Sequence, residues 1–223
     1  MNRVIAIDGP AGSGKSSVSK RVGRDRAFLH VDSGALYRIM TWQALRAGID
    51  TSNEAAVAAC AADVDVAFRA EGGTVAFYVD GKAPGDAIRS AEINRHASPV
   101  ARVKAVRNKV TAWLRSLRTL GDLIVEGRDI TSVVFPDTPA RFYLDADPSV
   151  RAIRRHREEI AKGIATQTEE EIRASLLNRD HIDSTRAVAP LVLAPGVLRI
   201  DTSDLTLDQV VNRVIAELPV AWR

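Results

Sequence analysis

A glycine-rich loop near the start of the chain carries the strongest chemical signal in the sequence. Its residues, GPAGSGKS from Gly9 to Ser16, match the pattern G-x-x-x-x-G-K-[ST] and stand between an apolar run and a helical pattern. Glycines let backbone amides turn toward phosphate oxygens, and the positive end of the next helix dipole adds to the attraction. The pattern predicts nucleoside triphosphate binding, with Lys15 reaching the β- and γ-phosphates and Ser16 holding Mg²⁺. The predicted triphosphate-binding residues are Gly9, Pro10, Ala11, Gly12, Ser13, Gly14, Lys15, Ser16 and Ser17.

Two further groups of polar residues stand where apolar runs end. The tetrapeptide EGRD, residues 126–129, places two carboxylates and a guanidinium around one glycine, directly after DLIV. Ligands bind at strand ends in mixed α/β proteins, so this cluster is a candidate substrate site. The segment DSGALYR, from Asp32 to Arg38, combines a helix start, hydroxyls and a guanidinium, which suits a phosphate monoester. Asp32 or Ser33 could also serve only as the N-cap of that helix.

The elements that must position these groups alternate along the chain. The runs RVIAID, AFLHVD, DLIVEG, ARFYLDA and VLRIDTS read as strands with helical patterns between them. This alternation predicts an α/β fold of the P-loop NTPase type, a parallel five-stranded sheet with helices on both faces. Period-two alternation around EGG in residues 64–94 predicts a small antiparallel insert. Thr206 and Gln209 form a capping-box pattern that begins the last helix.

Residues 148–189 are predicted to form a helical lid. Asp147 is a predicted N-cap and Pro148 occupies the first helical position. Two strongly charged helical segments follow, RAIRRHREEIAKG and EEEIRASLLNRDHIDSTR, and neither has much of an apolar face. A weak contribution to the core favours a mobile cover that closes over a substrate. A solvated helical hairpin without a role is the alternative.

Composition and charge exclude several classes of protein. The 223 residues include 31 basic and 28 acidic side chains, without a dense basic tract, so nucleic-acid binding is not expected. The single cysteine, Cys60, allows no intrachain disulfide and favours a reducing compartment. The N-terminal apolar stretch is too short for a signal peptide, and no run approaches the roughly 20 apolar residues of a membrane helix. We therefore expect a cytoplasmic protein with no membrane partner.

Triphosphate binding alone leaves several functional classes open. A GTPase needs the pattern N-K-x-D after a strand, but the string NKVT at 108–111 lacks the aspartate and lies in a helical pattern. A motor or helicase would carry an apolar strand that ends in Asp-Glu, which the sequence does not contain. A kinase for a small molecule fits better, because it needs an acceptor pocket and a lid. Kinases for other acceptors and a regulatory nucleotide-binding switch remain as alternatives.

The motifs together resemble bacterial cytidylate kinases along essentially the whole chain. The resemblance is carried by GPAGSGKSS, DSGALYR, EGRDITSVVFPD and RDHIDSTRAVAPL, in that order, and by the insert at 64–94. It implies Mg²⁺-dependent transfer of the ATP γ-phosphoryl group to CMP, and also to dCMP, by a monomer. It also implies a three-part chain: a core of about 1–33, 99–147 and 190–223, a monophosphate-binding part of about 34–98, and the lid of about 148–189.

The same resemblance implies roles for individual side chains. Arg128 would grip the phosphate of the acceptor, and Asp129 would accept a hydrogen bond from the cytosine amino group, which uracil lacks. Arg107 would donate to the cytosine edge while pairing with Asp129. The implied catalytic groups are Lys15, Arg128, Arg186 and the lid arginines Arg151, Arg154 and Arg155. The implied CMP-binding residues are Asp32, Ser33, Tyr37, Arg38, Ser98, Arg107, Arg128, Asp129, Arg179, Asp183 and Arg186, with Arg179 and Asp183 near the ribose hydroxyls.

A few positions depart from the pattern of this family. Glu126 stands where the family usually has a small residue or an aspartate, and Thr131 and Ser132 replace a Gly-Thr pair. The sequence leaves two roles open for Glu126: a partner of Arg128, or a neighbour of Mg²⁺ through a water molecule. The four histidines show no spacing that suggests a catalytic triad or a metal site.

Overall fold

A seven-stranded sheet forms the centre of the computed structural model, which describes residues 2–223. The spatial order of the strands is β3-β4-β2-β5-β1-β6-β7, and β2, β5, β1, β6 and β7 pair in parallel. These five strands confirm the predicted parallel sheet. Their bounds are β1 Val4–Asp8, β2 Leu29–Asp32, β3 Ala67–Glu71, β4 Thr74–Tyr78, β5 Leu123–Gly127, β6 Ala140–Asp145 and β7 Leu198–Asp201.

The predicted insert is a two-stranded hairpin at one edge of this sheet. Strands β3 and β4 pair antiparallel around Gly72 and Gly73, whose φ angles of 55° and 77° lie in the left-handed region. A two-residue hairpin turn with positive φ at both positions strongly favours glycine. The hairpin joins the sheet through the parallel pair His30 and Thr74, and the His30 N–H donates to the Gly73 carbonyl at 3.0 Å. The insert is therefore an extension of the main sheet.

In the described residues, 2–223, eight α-helices connect and cover the strands. At the last of them, the Thr206 hydroxyl accepts from the Gln209 N–H at 3.3 Å and the Gln209 amide oxygen accepts from the Thr206 N–H at 2.8 Å, so the predicted capping box is confirmed. No helix within residues 2–223 combines the length and apolar character needed to cross a membrane. The helices are α1 Lys15–Arg26, α2 Ser33–Arg46, α3 Glu54–Asp63, α4 Ala91–Arg102, α5 Lys104–Ser116, α6 Pro148–Ala161, α7 Glu169–Thr185 and α8 Leu207–Ala216.

Alternate residues of the central strands supply two apolar cores, one on each face of the sheet. Leu123 and Val125 of β5 pack into the core that includes residues of α2 and α5. Ile124, between them, packs into the core that includes residues of α1 and α8. Covering both faces in this way explains why the parallel strands are short apolar runs. It also leaves the carboxyl ends of these strands free to carry polar side chains at one edge of the sheet.

The segment predicted as a lid, which keeps that name below, consists of α6 and α7 and so has the predicted helical character. A small apolar cluster of Ala152, Ile172 and Leu176 joins these helices, and Ala11 of the glycine-rich loop packs against it. Ile160 and Ile164, where α6 ends, are 58% and 57% exposed. The lid thus contributes little to the two main cores and contacts the rest of the protein beside the glycine-rich loop. Its movement stays a prediction.

Candidate active site

The glycine-rich loop connects β1 to α1 and passes close to β6. A Cβ atom on Gly9 would overlap the Leu144 carbonyl oxygen, so no larger residue fits while the loop keeps this path. Gly12 and Gly14 have φ angles of 80° and 88°, which L residues with side chains rarely adopt. The glycines of the motif therefore have two separate tasks, close approach to β6 and tight turning before α1.

Lys15 is buried inside this loop with its ammonium group held by loop oxygens. Its Nζ donates to the Pro10 carbonyl at 2.6 Å and lies 3.5 Å from the Ser13 hydroxyl. Burial lowers the pKa of Lys15 well below its ordinary value, and the nearby charge of Arg128 lowers it further. Phosphate oxygens would offset both effects, because they bring negative charge to a buried cation. The position of Lys15 suits contact with a triphosphate.

Glu126 contacts the loop serine and not Arg128. Its Oε2 accepts a hydrogen bond from the Ser16 hydroxyl at 2.7 Å, and its Oε1 lies 2.9 Å from Nε2 of His30. Arg128 instead donates to Asp183 at 2.9 Å. Of the two roles that the sequence left open, the geometry favours the neighbour of a metal held by Ser16. No motif in the sequence indicated that His30 lies beside this loop.

A buried ion pair joins Arg107 of α5 to Asp129, two residues beyond the end of β5. Nη2 of Arg107 lies 2.5 Å from Asp129 Oδ2, and each side chain is 3% exposed. A second nitrogen of Arg107 donates to the Ala101 carbonyl at 3.0 Å, and its guanidinium lies over the Tyr37 ring, 5.1 Å from the centroid. Burial lowers the pKa of Arg107, but Tyr37 and Asp129 outweigh this effect and raise the pKa overall. The guanidinium therefore stays charged inside the protein.

Asp183 of α7 contacts three arginines: Arg179 and Arg186 are close to it in sequence, whereas Arg128 comes from the end of β5. Its carboxylate lies 2.9 Å from Nε of Arg128, 3.6 Å from Nη1 of Arg186 and 3.9 Å from Nε of Arg179. Burial raises the pKa of Asp183, but the three arginines reverse this and hold the pKa below its ordinary value. Arg186 also lies 3.8 Å from Asp129, so the clusters around Asp183 and Asp129 are joined.

The joined cluster, here called the arginine cluster, has more positive than negative charge. Three of its buried nitrogens, Nε of Arg107, Nε of Arg179 and Nη2 of Arg186, have no hydrogen-bond partner among residues 2–223. Burial and the charges of Arg128 and Arg38 contribute to lowering the pKa of Arg179 to about 10. Unpartnered buried donors with excess positive charge point to an anionic ligand. The members of the arginine cluster are Arg107, Arg128, Arg179, Arg186, Asp129 and Asp183.

The segment after β2 lies at the same edge of the sheet. Asp32 is the N-cap of α2, accepting from the Ala35 N–H at 3.2 Å, and it also pairs with Arg38 at 2.8 Å. The Ser33 hydroxyl donates to the Glu126 carbonyl at 2.6 Å, which ties the start of α2 to the end of β5. Asp32 can therefore cap α2 and contact Arg38 at the same time. Nε of Arg38 is buried without a partner among residues 2–223.

Two lid arginines reach the core, and one of them contacts the glycine-rich loop. Arg151 donates to the Ala11 carbonyl at 3.0 Å and pairs with Asp180 of α7 at 2.6 Å. Arg154 donates to the Thr202 carbonyl at 2.5 Å, so it contacts the segment after β7. Arg151 therefore links the loop to both lid helices.

Two predicted site residues are not brought into these clusters. Arg155 pairs with Glu159 at 2.8 Å and with Glu158 at 3.7 Å on its own helix, and its side chain is 44% exposed. Ser98 is a half-buried residue of α4 without a side-chain hydrogen bond among residues 2–223. The described contacts give Arg155 no link to the arginine cluster or to the glycine-rich loop.

Asp8, at the end of β1, is a further candidate site residue, which sequence reasoning missed. Its carboxylate accepts from the Ile130 N–H at 2.9 Å, the Thr131 N–H at 2.7 Å and the Thr131 hydroxyl at 2.6 Å. It thereby anchors the π-helical turn Ile130–Val134, which follows Asp129 directly, to the strand that leads into the glycine-rich loop. Burial raises the pKa of Asp8 to about 6, although the bonds from Thr131 oppose the rise.

This raised pKa predicts a specific dependence of stability on pH. The folded state binds a proton at Asp8 below about pH 6, whereas the unfolded chain binds it only below about pH 4. The contribution of Asp8 to the free energy of unfolding therefore falls as pH rises from 4 to 7, by about 3 kcal/mol at most. Denaturant unfolding across this pH range measures the free energy of unfolding of the wild type and of Asp8→Asn. The wild type should lose stability relative to Asp8→Asn as pH rises. A constant difference in the free energy of unfolding, or one that grows in favour of the wild type, would contradict the raised pKa of Asp8.

A cavity of about 320 Å³ opens beside the loop, at the carboxyl ends of β6 and β7. Arg151, which contacts the loop at Ala11, is one of its walls. Nothing in the sequence pattern indicated this cavity. Within residues 2–223, no group of three or more His, Cys, Asp or Glu side chains is arranged to hold a metal ion by itself. The residues that line the cavity are Asp145, Ala146, Asp147, Pro148, Arg151, Arg199, Asp201 and Ser203.

The chain is similar to known cytidylate kinases along nearly its whole length. A family model described as cytidylate kinase matches residues 5–219. A protein of Pediococcus pentosaceus named cytidylate kinase is 37% identical over 211 residues, covering 95% of this chain and 93% of that protein. One of Alkaliphilus oremlandii with the same name is 40% identical, covering 95% of each. The crystal structure of an uncharacterised protein from Eubacterium ventriosum aligns with a TM-score of 0.54 at 10% identity, covering 96% of each chain, which shows likeness of fold alone.

Proposed function

The chain belongs to the cytidylate kinase family, and from this premise we propose that it transfers the γ-phosphoryl group of ATP to CMP, giving ADP and CDP. The observation that carries the proposal is the arginine cluster, a positively charged group with unpartnered donors around the buried Asp129 carboxylate. It suits an anionic ligand whose base offers a hydrogen-bond donor. The glycine-rich loop lies at the same edge of the sheet, so donor and acceptor would meet there.

The donor side has the groups that a magnesium–triphosphate complex needs. The Ser16 hydroxyl and the Glu126 carboxylate provide oxygen ligands, which Mg²⁺ prefers, either directly or through water. Bound Mg²⁺ would neutralise charge on the phosphate oxygens. Lys15 would contact the phosphates, and we propose that the cavity beside Arg151 receives the nucleoside part of ATP. The loop, Lys15 and Arg151 would hold the γ-phosphoryl group in line with the acceptor.

The acceptor side requires alignment more than proton transfer. The phosphate of CMP is already a nucleophile, so no strong general base is needed. We propose that Arg128 and Arg186 bind this phosphate. One guanidinium group can donate two parallel hydrogen bonds to two phosphate oxygens, and its positive charge stabilises the negative charge on the phosphoryl group during transfer. Arg38 would complete the grip from the start of α2. Closing of the lid would exclude water, which otherwise competes as the acceptor.

Base recognition would depend on the buried pair of Asp129 and Arg107. A carboxylate only accepts hydrogen bonds, and cytosine offers an amino donor where uracil offers an oxygen. Arg107 would donate to the carbonyl edge of the same base. Arg179 and Asp183 are the proposed neighbours of the ribose, and we expect dCMP to be a substrate as well. We propose that the protein acts as a monomer, which is the expectation for its family.

An ADP-release assay across acceptors tests the proposal. CMP, dCMP, UMP, AMP, shikimate and no acceptor are compared at saturating Mg²⁺ and ATP. We expect the highest kcat/KM with CMP, lower activity with dCMP, and only slow release without an acceptor. Faster turnover of AMP, UMP or shikimate would assign the chain to another small-molecule kinase. Tight ATP binding without acceptor-dependent turnover would indicate a regulatory switch.

A further inference from the structure

His30, Glu126 and Ser16 form a chain of side-chain contacts that ends at the glycine-rich loop. Nε2 of His30 lies 2.9 Å from one carboxylate oxygen of Glu126, and the Ser16 hydroxyl donates to the other at 2.7 Å. His30 and Glu126 are 5% and 4% exposed, so water has little access to this contact. Glu126 can only accept hydrogen bonds when ionised, so His30 must be the donor through Nε2–H. The Glu126 carboxylate thus accepts one hydrogen bond from β2 and one from α1.

The backbone of His30 is held on both sides, which gives the imidazole a defined place. On one side, β2 pairs with β5, with His30 opposite Ile124. On the other, the His30 N–H donates to the Gly73 carbonyl of the hairpin turn at 3.0 Å. The residue therefore lies in the interior of the sheet and cannot shift without breaking strand pairing. A ring held in this way can hold a neighbouring carboxylate in one orientation.

The orientation of Glu126 decides where the Ser16 oxygen points its lone pairs. A serine hydroxyl has one proton and two lone pairs, and here the proton is directed at Glu126. The lone pairs are then free for a cation on the other side. If Glu126 were to rotate, the Ser16 proton would be free to turn toward the cation and weaken its binding. Outer partners of this kind typically change metal affinity by roughly 10–100-fold when removed.

We propose that His30 is a positioning residue for the metal–nucleotide complex, acting through Glu126 on the Ser16 hydroxyl. The inference rests on the proposed binding of Mg²⁺ and ATP, but not on the identity of the acceptor. His30 touches neither substrate nor metal in this assignment. Its contribution is to keep the carboxylate turned so that Ser16 presents its oxygen to the cation. A purely structural hydrogen bond between His30 and Glu126 would support the fold equally with and without Mg²⁺.

The test is a calorimetric titration of ATP with the full-length protein, in Mg²⁺ and in EDTA. We expect His30→Leu to weaken ATP binding about 10-fold in Mg²⁺ and less than about 2-fold in EDTA. His30→Gln, whose side-chain amide can replace the Nε2–H donor, should stay within about 3-fold of the wild type in both. The dissociation constant for CMP should not change. If His30→Leu does not fold, His30→Asn takes its place in the comparison of Mg²⁺ with EDTA, because the shorter asparagine side chain does not reach Glu126.

A double-mutant cycle with Glu126→Gln tests the route of the effect. If His30 acts through Glu126, His30→Leu should add less than about 2-fold to the loss already present in Glu126→Gln. His96→Leu, which removes another histidine contact, the 2.7 Å bond to Thr51, is the matched control and should leave the effect of Mg²⁺ unchanged. Equal losses in Mg²⁺ and EDTA, or additive losses in the cycle, would overturn the proposal. If the wild type does not phosphorylate CMP, but His30→Leu weakens ATP binding in Mg²⁺ and not in EDTA, the result contradicts the proposed reaction and supports the role of His30.

Discussion

Replacing Arg128 by alanine is expected to lower kcat with CMP by about 1,000-fold, while ATP affinity stays within a factor of about three. Arg128 belongs to the arginine cluster, and its Nε donates to Asp183 at 2.9 Å, so its guanidinium is held in one place. Positive groups aimed at a moving phosphoryl group stabilise the transition state much more than the ground state. The loop residues that would bind ATP remain intact. Steady-state ADP release and equilibrium ATP binding measure the two quantities.

Two further variants make this prediction specific. Arg128→Lys keeps the charge but loses the paired donors of the guanidinium, so we expect an intermediate kcat. Arg21→Ala removes a half-buried arginine of α1, which pairs with Asp25 at 2.9 Å and with Asp208 at 3.2 Å, and should leave kcat unchanged. Asp183 keeps two other arginine neighbours in Arg128→Ala, so the fold should survive. Near wild-type turnover in Arg128→Ala would remove this residue from the mechanism.

Replacing Asp129 by alanine should lower kcat/KM for CMP by about 100-fold and narrow the preference for CMP over UMP. The proposed bond to the cytosine amino group is lost, and each base contact of this kind supplies about 1–3 kcal/mol of discrimination. The partner Arg107 is left buried without its carboxylate, which costs stability as well. Competition between CMP and UMP in one assay measures the ratio directly. An unchanged ratio would remove Asp129 from base recognition.

A matched substitution separates recognition from stability. Asp129→Asn keeps an oxygen that can accept from Arg107 and adds an amide donor suited to the uracil oxygen. We expect this variant to be more stable than Asp129→Ala and to shift preference toward UMP. Thermal unfolding of both variants reports the loss of the ion pair. If Asn and Ala lower activity on both nucleotides equally, the effect of Asp129 is on stability only.

Local patterns in the sequence were sufficient to predict most of the architecture. The five parallel strands, the hairpin around Gly72 and Gly73, the lid helices and the capping box at Thr206 are all present. Each depends on side-chain periodicity, turn residues or caps within a short stretch of chain, and such interactions are encoded by near neighbours. The glycine-rich loop belongs to the same category, because its function needs eight consecutive residues between a strand and a helix.

The contacts between distant residues were decided by the tertiary structure. Glu126 lies 110 positions from Ser16 and 96 from His30, and Asp8 lies 123 positions from Thr131. The parallel sheet brings the ends of its strands together, and no local pattern records which side chains then face each other. The sequence therefore determined which chemical groups the protein carries and where strands end. Folding alone determined that a histidine supports the loop serine and that Arg155 turns to its own helix, because such choices depend on the packing of separate elements.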